Sequence, residues 1–380
     1  MGKFTHAIDA FDRLSVNPEF YRRVDWVDLV LFLTVGAFGL SILLSIDTAL
    51  FFQQLGILVI AVIVGSLVAL IDSTLLLWAA PLAYMASLIF LSVSYLGPAI
   101  RGATRWITIA GVQLQPSELV KPLLLLGFAW AMKTFPPRNM KGILIQCGLF
   151  IIPFLLVFRQ PDLGSSIVYG VMWLCMMIAA GFPIRYVIAG FLIATLLIPL
   201  GWRGLHDYQQ SRIRTFVNPA VDPKGAGYNA IQAMIAVGSG QLFGRGLGRG
   251  TQSHLRFLPE YHTDFIFATL VEELGFFGGS ILLVAYGALL WRIVRPLVVG
   301  VIESLVPFVY SVGLFSMILT QIVINAGMNM GLIPITGITL PLVSYGGSSL
   351  LSLAVSYGIL WAMRNARHDD RSVAIELKDW

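Results

Sequence analysis

Charged residues are scarce in this chain. Of its 380 residues only 12% are Asp, Glu, Lys or Arg, about half the share of a soluble domain, while 57% are hydrophobic and the mean hydropathy is +0.82. That excludes a soluble globular enzyme, and no nucleic-acid partner is expected. Cysteine is nearly absent too. Cys147 and Cys175 both fall in apolar runs, where a thiol behaves as a small hydrophobe, so neither a disulfide nor a cysteine metal site is expected. The first 25 residues, MGKFTHAIDAFDRLSVNPEFYRRVD, lack the basic start, short apolar core and small-residue cleavage site of a signal peptide. The N-terminus is therefore expected to stay in the cytosol.

What the chain has instead is long apolar runs. A bilayer core takes about 20 residues of helix, and runs near 26–46, 50–71, 75–96, 117–132, 143–158, 165–182, 186–202, 264–291, 301–325 and 346–363 meet or approach that length. These predict an all-α polytopic membrane protein of about ten transmembrane helices. Lys133, Arg138, Lys141, Arg185, Arg292, Arg295, Arg364 and Arg367 fall on one side with Arg22 and Arg23, which the positive-inside rule makes cytoplasmic. Residues 1–25 and 364–380 then form cytoplasmic ends around a transmembrane domain at 26–363. One large extracytoplasmic loop, about 203–263, separates helices 7 and 8. It carries Arg203, Arg212, Arg214, Lys224, Arg245, Arg249 and Arg256, a basic balance that suits an anionic partner.

The acids are placed where apolar sequence makes them expensive. In FLPEYHTDFIFATLVEELGFFGG (257–279), Asp264, Glu272 and Glu273 interrupt a membrane-like run, and a carboxylate at mid-bilayer costs at least ~2.5 kcal/mol on insertion scales. If the helix begins at Asp264, Glu272 and Glu273 lie about 80° and 180° round from it and ~12 to 14 Å deeper. Glu272 is then expected as an interior polar partner and Glu273 as paired to another helix. In GPAIRGATRWITIAGVQLQPSELVK (97–121), Pro116 suits a first helical turn and Glu118 reaches Lys121 three residues on. Read plainly, that is a helix cap with a surface ion pair. FRQPDLGSS (158–166) sets Arg159 and Asp162 at a turn. GSGQLFGRGLGRGTQ (238–252) alternates glycine and arginine, a composition that lets backbone N–H groups and guanidinium forks meet phosphate oxygens; a flexible loop is the plain alternative. His206, His254 and His262 lack zinc-ligand spacing. GLIPITGITLPLVSYGGSSLL (331–351) breaks an apolar region with Pro334, Pro341, Gly346 and Gly347. Broken backbone at membrane depth survives only against protein or a water-filled cavity, so this segment is either a cavity wall or a kinked packing element.

Taken in order, RGATRW with QPSELVK, RQPDLG, DYQQSRI, NPAVDPKGAGY, GTQ, FLPEYHTDFIF with VEELG, and PLVSYGGSS make the chain resemble the SEDS family (shape, elongation, division and sporulation) over roughly residues 26–365. NPAVDPKGAGY, GTQSHLRFLPE and RQPDLG look more like its elongation branch than its division branch. The resemblance implies a glycosyltransferase that polymerises lipid II, the undecaprenyl-diphosphate-linked disaccharide pentapeptide, into peptidoglycan glycan strands. Asp264 falls on the family's catalytic aspartate, and Glu118 and Lys121 on its important glutamate and lysine. Arg101, Arg105, Asp162, Arg212, Gln252 and Ser344 complete the expected substrate-binding set. A divalent cation (Mg or Mn) is the one cofactor considered. The partners implied are lipid II, a class B penicillin-binding protein with transpeptidase activity, other elongation-complex membrane proteins and membrane lipids. The chain departs from the family pattern at Gln241, where a second glycine usually follows GSG, at Ala233, where serine is common, and at Pro122, which can loosen the turn that carries Glu118.

Chemically, one base and one leaving-group stabiliser are needed, and Asp264 is the best-placed acid for the first role. A lipid II flippase would need a polar path through to the cytoplasmic ends, whereas the intramembrane charges cluster in the outward half. A non-catalytic scaffold would need no base, and a division-type polymerase would share the same chemistry.

Overall fold

The computed structural model describes residues 23–97, 106–109, 112–204, 207–219, 222, 225–255, 257–302 and 304–376. Among them, the membrane helices begin where a polar side chain meets exposed backbone N–H groups. Helix α1 (Trp26–Ile46) is capped by Asp25, which accepts from the N–H groups of Val27 and Asp28. Asp47 caps α2 (Thr48–Ala69) and Asp72 caps α3 (Ser73–Val93). A chain with few acids thus uses several of them at helix starts, where an unmet N–H is costly next to lipid.

After α3, strands β1 (Ile107–Ile109) and β2 (Val112–Leu114) pair antiparallel, Thr108 opposite Gln113. This small hairpin is the one β element among the described residues of an otherwise helical fold. The span expected at 117–132 divides into α4 (Pro116–Leu119) and α5 (Lys121–Thr134). Pro122 has no N–H to return to Glu118, so the helical ladder breaks after Leu119. Next come α6 (Met140–Phe158), α7 (Leu163–Ala179) and α8 (Ile184–Gly204).

The segment expected as a long loop is largely helical: α9 (Asp207–Val217), α10 (Ala226–Ser239) and the single turn α11 (Thr251–His254). Helices α12 (Ile266–Val298), α13 (Leu305–Asn329) and α14 (Gly347–Glu376) complete the chain. Among the described residues six helices, α1, α2, α3, α6, α12 and α13, are long and apolar enough to cross a membrane. The most apolar window of α13 is 61% buried against 22–39% for the other five, which makes α13 the central post.

Hydrophobicity does not hold helices together in lipid; close packing and polar contacts do. Helix α14 lies against α2 at glycine contacts: a β-carbon at Gly358 would sit 2.3 Å from the Gly65 carbonyl oxygen, and one at Gly65 2.6 Å from that of Ala354. At the end of the bundle where α1 starts, fully buried Asp28 receives Arg292 Nε at 2.7 Å, Arg364 Nη1 at 3.1 Å and Trp361 Nε1 at 3.2 Å. That ties α1, α12 and α14 together. Arg292 also pairs with Asp25, and Arg364 donates to the carbonyls of Arg292 and Ile293.

Candidate active site

Residues 331–346 run without helix between α13 and α14; they include Ser344, and Asp264, Arg212 and the turn after Asp162 meet them. Gly331, Gly337 and Leu342 take positive φ, and Pro334 and Pro341 prevent a regular ladder. The exposed backbone groups are met from outside. The Ile338 carbonyl accepts from Asn325 Nδ2 at 2.7 Å, that of Pro341 from the Tyr286 hydroxyl, and that of Ser344 from Gln54 Nε2 at 3.1 Å. Leu340 N–H donates to Ser344 Oγ at 2.7 Å. Surrounding protein therefore satisfies a stretch that lipid could not.

Asp264 stands two residues before α12 starts, in a turn rather than in the helix. Three successive carbonyls here are each held: His262 by Tyr345 N–H at 2.9 Å, Thr263 by Ser344 Oγ at 2.6 Å, and Asp264 by Asn325 and Asn329 Nδ2 at 2.9 and 3.1 Å. Asn329 Oδ1 also accepts from Ala268 N–H in the first turn of α12. The carboxylate faces the broken segment, because a β-carbon at Gly337 would lie 3.3 Å from Asp264 Oδ2. With no side chain, Gly337 both adopts φ +75° and leaves that space open.

Arg212 and the turn after Asp162 reach the same segment from other directions, while Glu118 and Lys121 pair with each other. Arg212, on α9, donates Nη1 to the Thr336 carbonyl at 3.3 Å. Lys121 Nζ lies 2.5 Å from Glu118 Oε1, and both side chains are buried. This pair is an interior one, not the surface pair of the plain sequence reading. Ser348 Oγ accepts from Gln115 N–H at 3.0 Å, which anchors the start of α4 to the start of α14. Asp162 is buried and caps α7: its carboxylate accepts from Ser165 N–H, the Gln115 side-chain amide and the Ser117 hydroxyl, all within 3.1 Å. A β-carbon at Gly164 would press on Ile338 at 2.5 Å, so this turn also packs on the broken segment. Ser344 contributes through backbone contacts. Arg101 and Arg105 lie outside the described residues, as do His206, Lys224 and Arg256.

Glu272 and Glu273 belong to a separate junction. Because Asp264 precedes α12, helical angles counted from it do not place them; α12 itself breaks just beyond them, at Gly275 (φ 71°, ψ −171°). The break opens two helical hydrogen bonds. Phe276 and Phe277 N–H donate instead to the carbonyls of Gln241 and Leu242, while those of Glu272 and Glu273 receive Arg245 and Gly246 N–H. The Gly-Arg stretch is thus laced onto the helix, and Gln241 adopts φ +48°, a left-handed conformation that explains glycine's suitability there. Glu272 Oε1 accepts from Gln252 N–H at 3.0 Å and Thr251 Oγ1 at 3.2 Å. Glu273 meets Ser45 Oγ of α1 at 2.7 Å and His254 Nε2 at 3.1 Å. Gln252 is therefore positioned by Glu272. Among the described residues no cluster of three His, Cys, Asp or Glu side chains forms a metal cage.

Reading the sequence did not single out Asn325, Asn329 or Gly337. The signal was present as two asparagines four apart in an apolar helix, hence on one face.

Comparison with known proteins agrees with this architecture. The sequence model of the FtsW, RodA and SpoVE cell cycle proteins matches residues 25–369. Peptidoglycan glycosyltransferase MrdB of Escherichia coli K12 is 39% identical over 298 residues, covering 76% of this chain and 78% of that one. The solved structure of a peptidoglycan synthase complex that coordinates polymerisation and crosslinking contains a chain 29% identical, with TM-score 0.79 over 90% of this chain and 98% of its own. The rod shape determining protein RodA of Thermus thermophilus superposes with TM-score 0.69 at 28% identity, covering 90% and 97%. With the spans, the motif order and the overall fold all in agreement, the chain belongs to the FtsW, RodA and SpoVE (SEDS) family of multi-pass membrane proteins, as a peptidoglycan glycosyltransferase.

Proposed function

We propose that Asp264 is the general base of this polymerase and that basic residues, Arg212 beside segment 331–346 among them, receive the leaving diphosphate. The observation that carries the reading is the hold on residues 262–264: three consecutive carbonyls are pinned from α13 and the broken segment, with the carboxylate turned toward Gly337. A base is effective only when fixed within about 3 Å of the proton it removes. The GlcNAc 4-hydroxyl of the acceptor attacks the anomeric carbon of the donor MurNAc and inverts α to β. Its proton passes to Asp264. The bond from the anomeric carbon to the diphosphate breaks, and undecaprenyl diphosphate leaves with the electron pair. Arg212, Lys121 and, from the motif resemblance, Arg101 and Arg105 supply the positive charge that this step needs.

Glu118 supports the reading by fixing Lys121, and Asp162 by fixing Gln115 and Ser117 beside them. A divalent cation, if bound, would be held by one or two of these carboxylates and would help neutralise the charge of the substrate phosphates. By the positive-inside asymmetry, both termini are cytoplasmic and the site is extracytoplasmic. The transpeptidase partner is proposed to be a class B penicillin-binding protein, in keeping with the synthase complex to which the chain is similar. The elongation role rests on motif resemblance.

The test is purified protein in vesicles, given labelled lipid II. Asp264→Ala and Asp264→Asn are expected to lower glycan formation by about 10² to 10⁴, the usual worth of a general base, with insertion and melting unchanged. A properly inserted Asp264→Asn variant that polymerises at the wild-type rate would refute the assignment.

A further inference from the structure

An open cleft lies between α9, α10 and the start of the broken segment. Phe216, Ala230, Met234, Ile333 and Ile335 make much of its lining, with Arg212 and Thr215 as its polar side chains. Arg212 and Thr215 are three apart on α9 and so share a face. Thr215 is buried, and its hydroxyl has no hydrogen-bond partner among the described residues. Among and beside the lining residues in sequence, Ile213, Phe216, Val217, Ile231, Met234 and Ile235 are exposed, so these helices present an apolar outer surface suited to lying in lipid.

Resting on the polymerase reading above, we propose that this cleft holds the first isoprene units of the donor's prenyl chain, with Arg212 at the attached diphosphate. Three observations favour that occupant. The lining is too apolar for a sugar, whose hydroxyls would go unmet. The apolar outer surface admits a chain from the bilayer side. The cleft also ends at the catalytic segment: Ile335 is two residues from Gly337, at most ~7 Å of chain, and Gly337 faces Asp264. Donor and acceptor differ here. Asp264 must touch the acceptor's hydroxyl, which attacks the carbon bearing the donor's diphosphate, whereas the acceptor's own diphosphate lies a disaccharide away. A diphosphate next to Asp264 is thus the donor's.

The experiment uses the full chain in vesicles and a lipid II analogue with a diazirine in its first isoprene units and no GlcNAc 4-hydroxyl, so that it serves only as donor. Glycan formation from natural lipid II is followed in the same preparation. Label is expected on residues 212–219, 230–234 or 331–335, to be competed by undecaprenyl diphosphate and not by phosphatidylglycerol. Ala230→Trp, which fills the cleft, is expected to reduce it about tenfold, the effect of leaving two or so methylenes unburied. Label confined to other regions while glycan forms overturns the proposal, as does equal competition by phosphatidylglycerol, which would make this a general lipid cleft. A preparation that labels the cleft yet makes no glycan from natural substrate, with its partner present, counts against the polymerase reading instead.

Discussion

Asn325 and Asn329 illustrate how a side chain without reactive chemistry can set the position of one that has it. Each donates an amide N–H to the Asp264 carbonyl, and Asn325 also holds that of Ile338, so the proposed base and the broken segment share one anchor. A misplacement of about 1 Å can cost roughly 100-fold in rate. Asn325→Ala is therefore expected to lower kcat by about 10- to 100-fold while KM for lipid II changes little, because the side chain positions the base without touching substrate. Steady-state kinetics separate the two; a rise in KM alone would assign Asn325 to binding instead. The asparagines were visible in the sequence, but their partners are carbonyls 61 and 65 residues earlier, which no local pattern reveals.

At the scale of elements, α12 is two helical pieces joined at Gly275, and the opened backbone groups pair with residues 241–246. Hydropathy reads this region as one span because the residues on both sides of Gly275 are equally apolar. Gly275→Ala would place a β-carbon 2.2 Å from Gly244 N and 2.5 Å from the Leu242 carbonyl oxygen, in a backbone region open essentially to glycine alone, at about 1–3 kcal/mol. Backbone cannot step aside as a side chain can. The variant is expected to lose several kcal/mol of stability and to release residues 241–250 to protease. An unchanged melting midpoint with an unchanged cleavage pattern would show that the lacing contributes nothing.

Across the whole molecule, the ion network at Asp28 lies at the other end of the bundle from the proposed base. From Phe276, just past the break at Gly275, to Arg292 is 16 residues of the second helical piece of α12, about 24 Å of helix. Removing one partner of a buried pair leaves the other charge unmet, at about 3–5 kcal/mol. Asp28→Ala is expected to lower the melting temperature and, well below it, to leave kcat unaltered; melting at the wild-type temperature would contradict the network's role. The proposed assembly is tested at this scale too. Polymerase activity of the isolated protein is expected to be low and to rise when its cognate transpeptidase is added. Equal rates with and without the partner would remove that claim and leave the base assignment standing.

The amino-acid order alone determined where the chain is apolar enough to span, that few charges are available, and that Asp264, Glu118, Lys121 and Asp162 sit in motifs of one family. Those properties are local: hydropathy is a sum over neighbouring residues, and a motif is contiguous. Only the tertiary structure decided that Glu118 and Lys121 are buried, that Asp264 precedes its helix, that the expected loop folds into helices, and that segment 331–346 meets Asp264, Arg212 and the turn after Asp162. Each of these depends on contacts between distant positions, such as Arg212 with Thr336, Ser344 with Thr263 and Gln115 with Ser348. Backbone groups freed by proline and glycine must find partners when lipid offers none, and which partners they find is settled by packing in three dimensions.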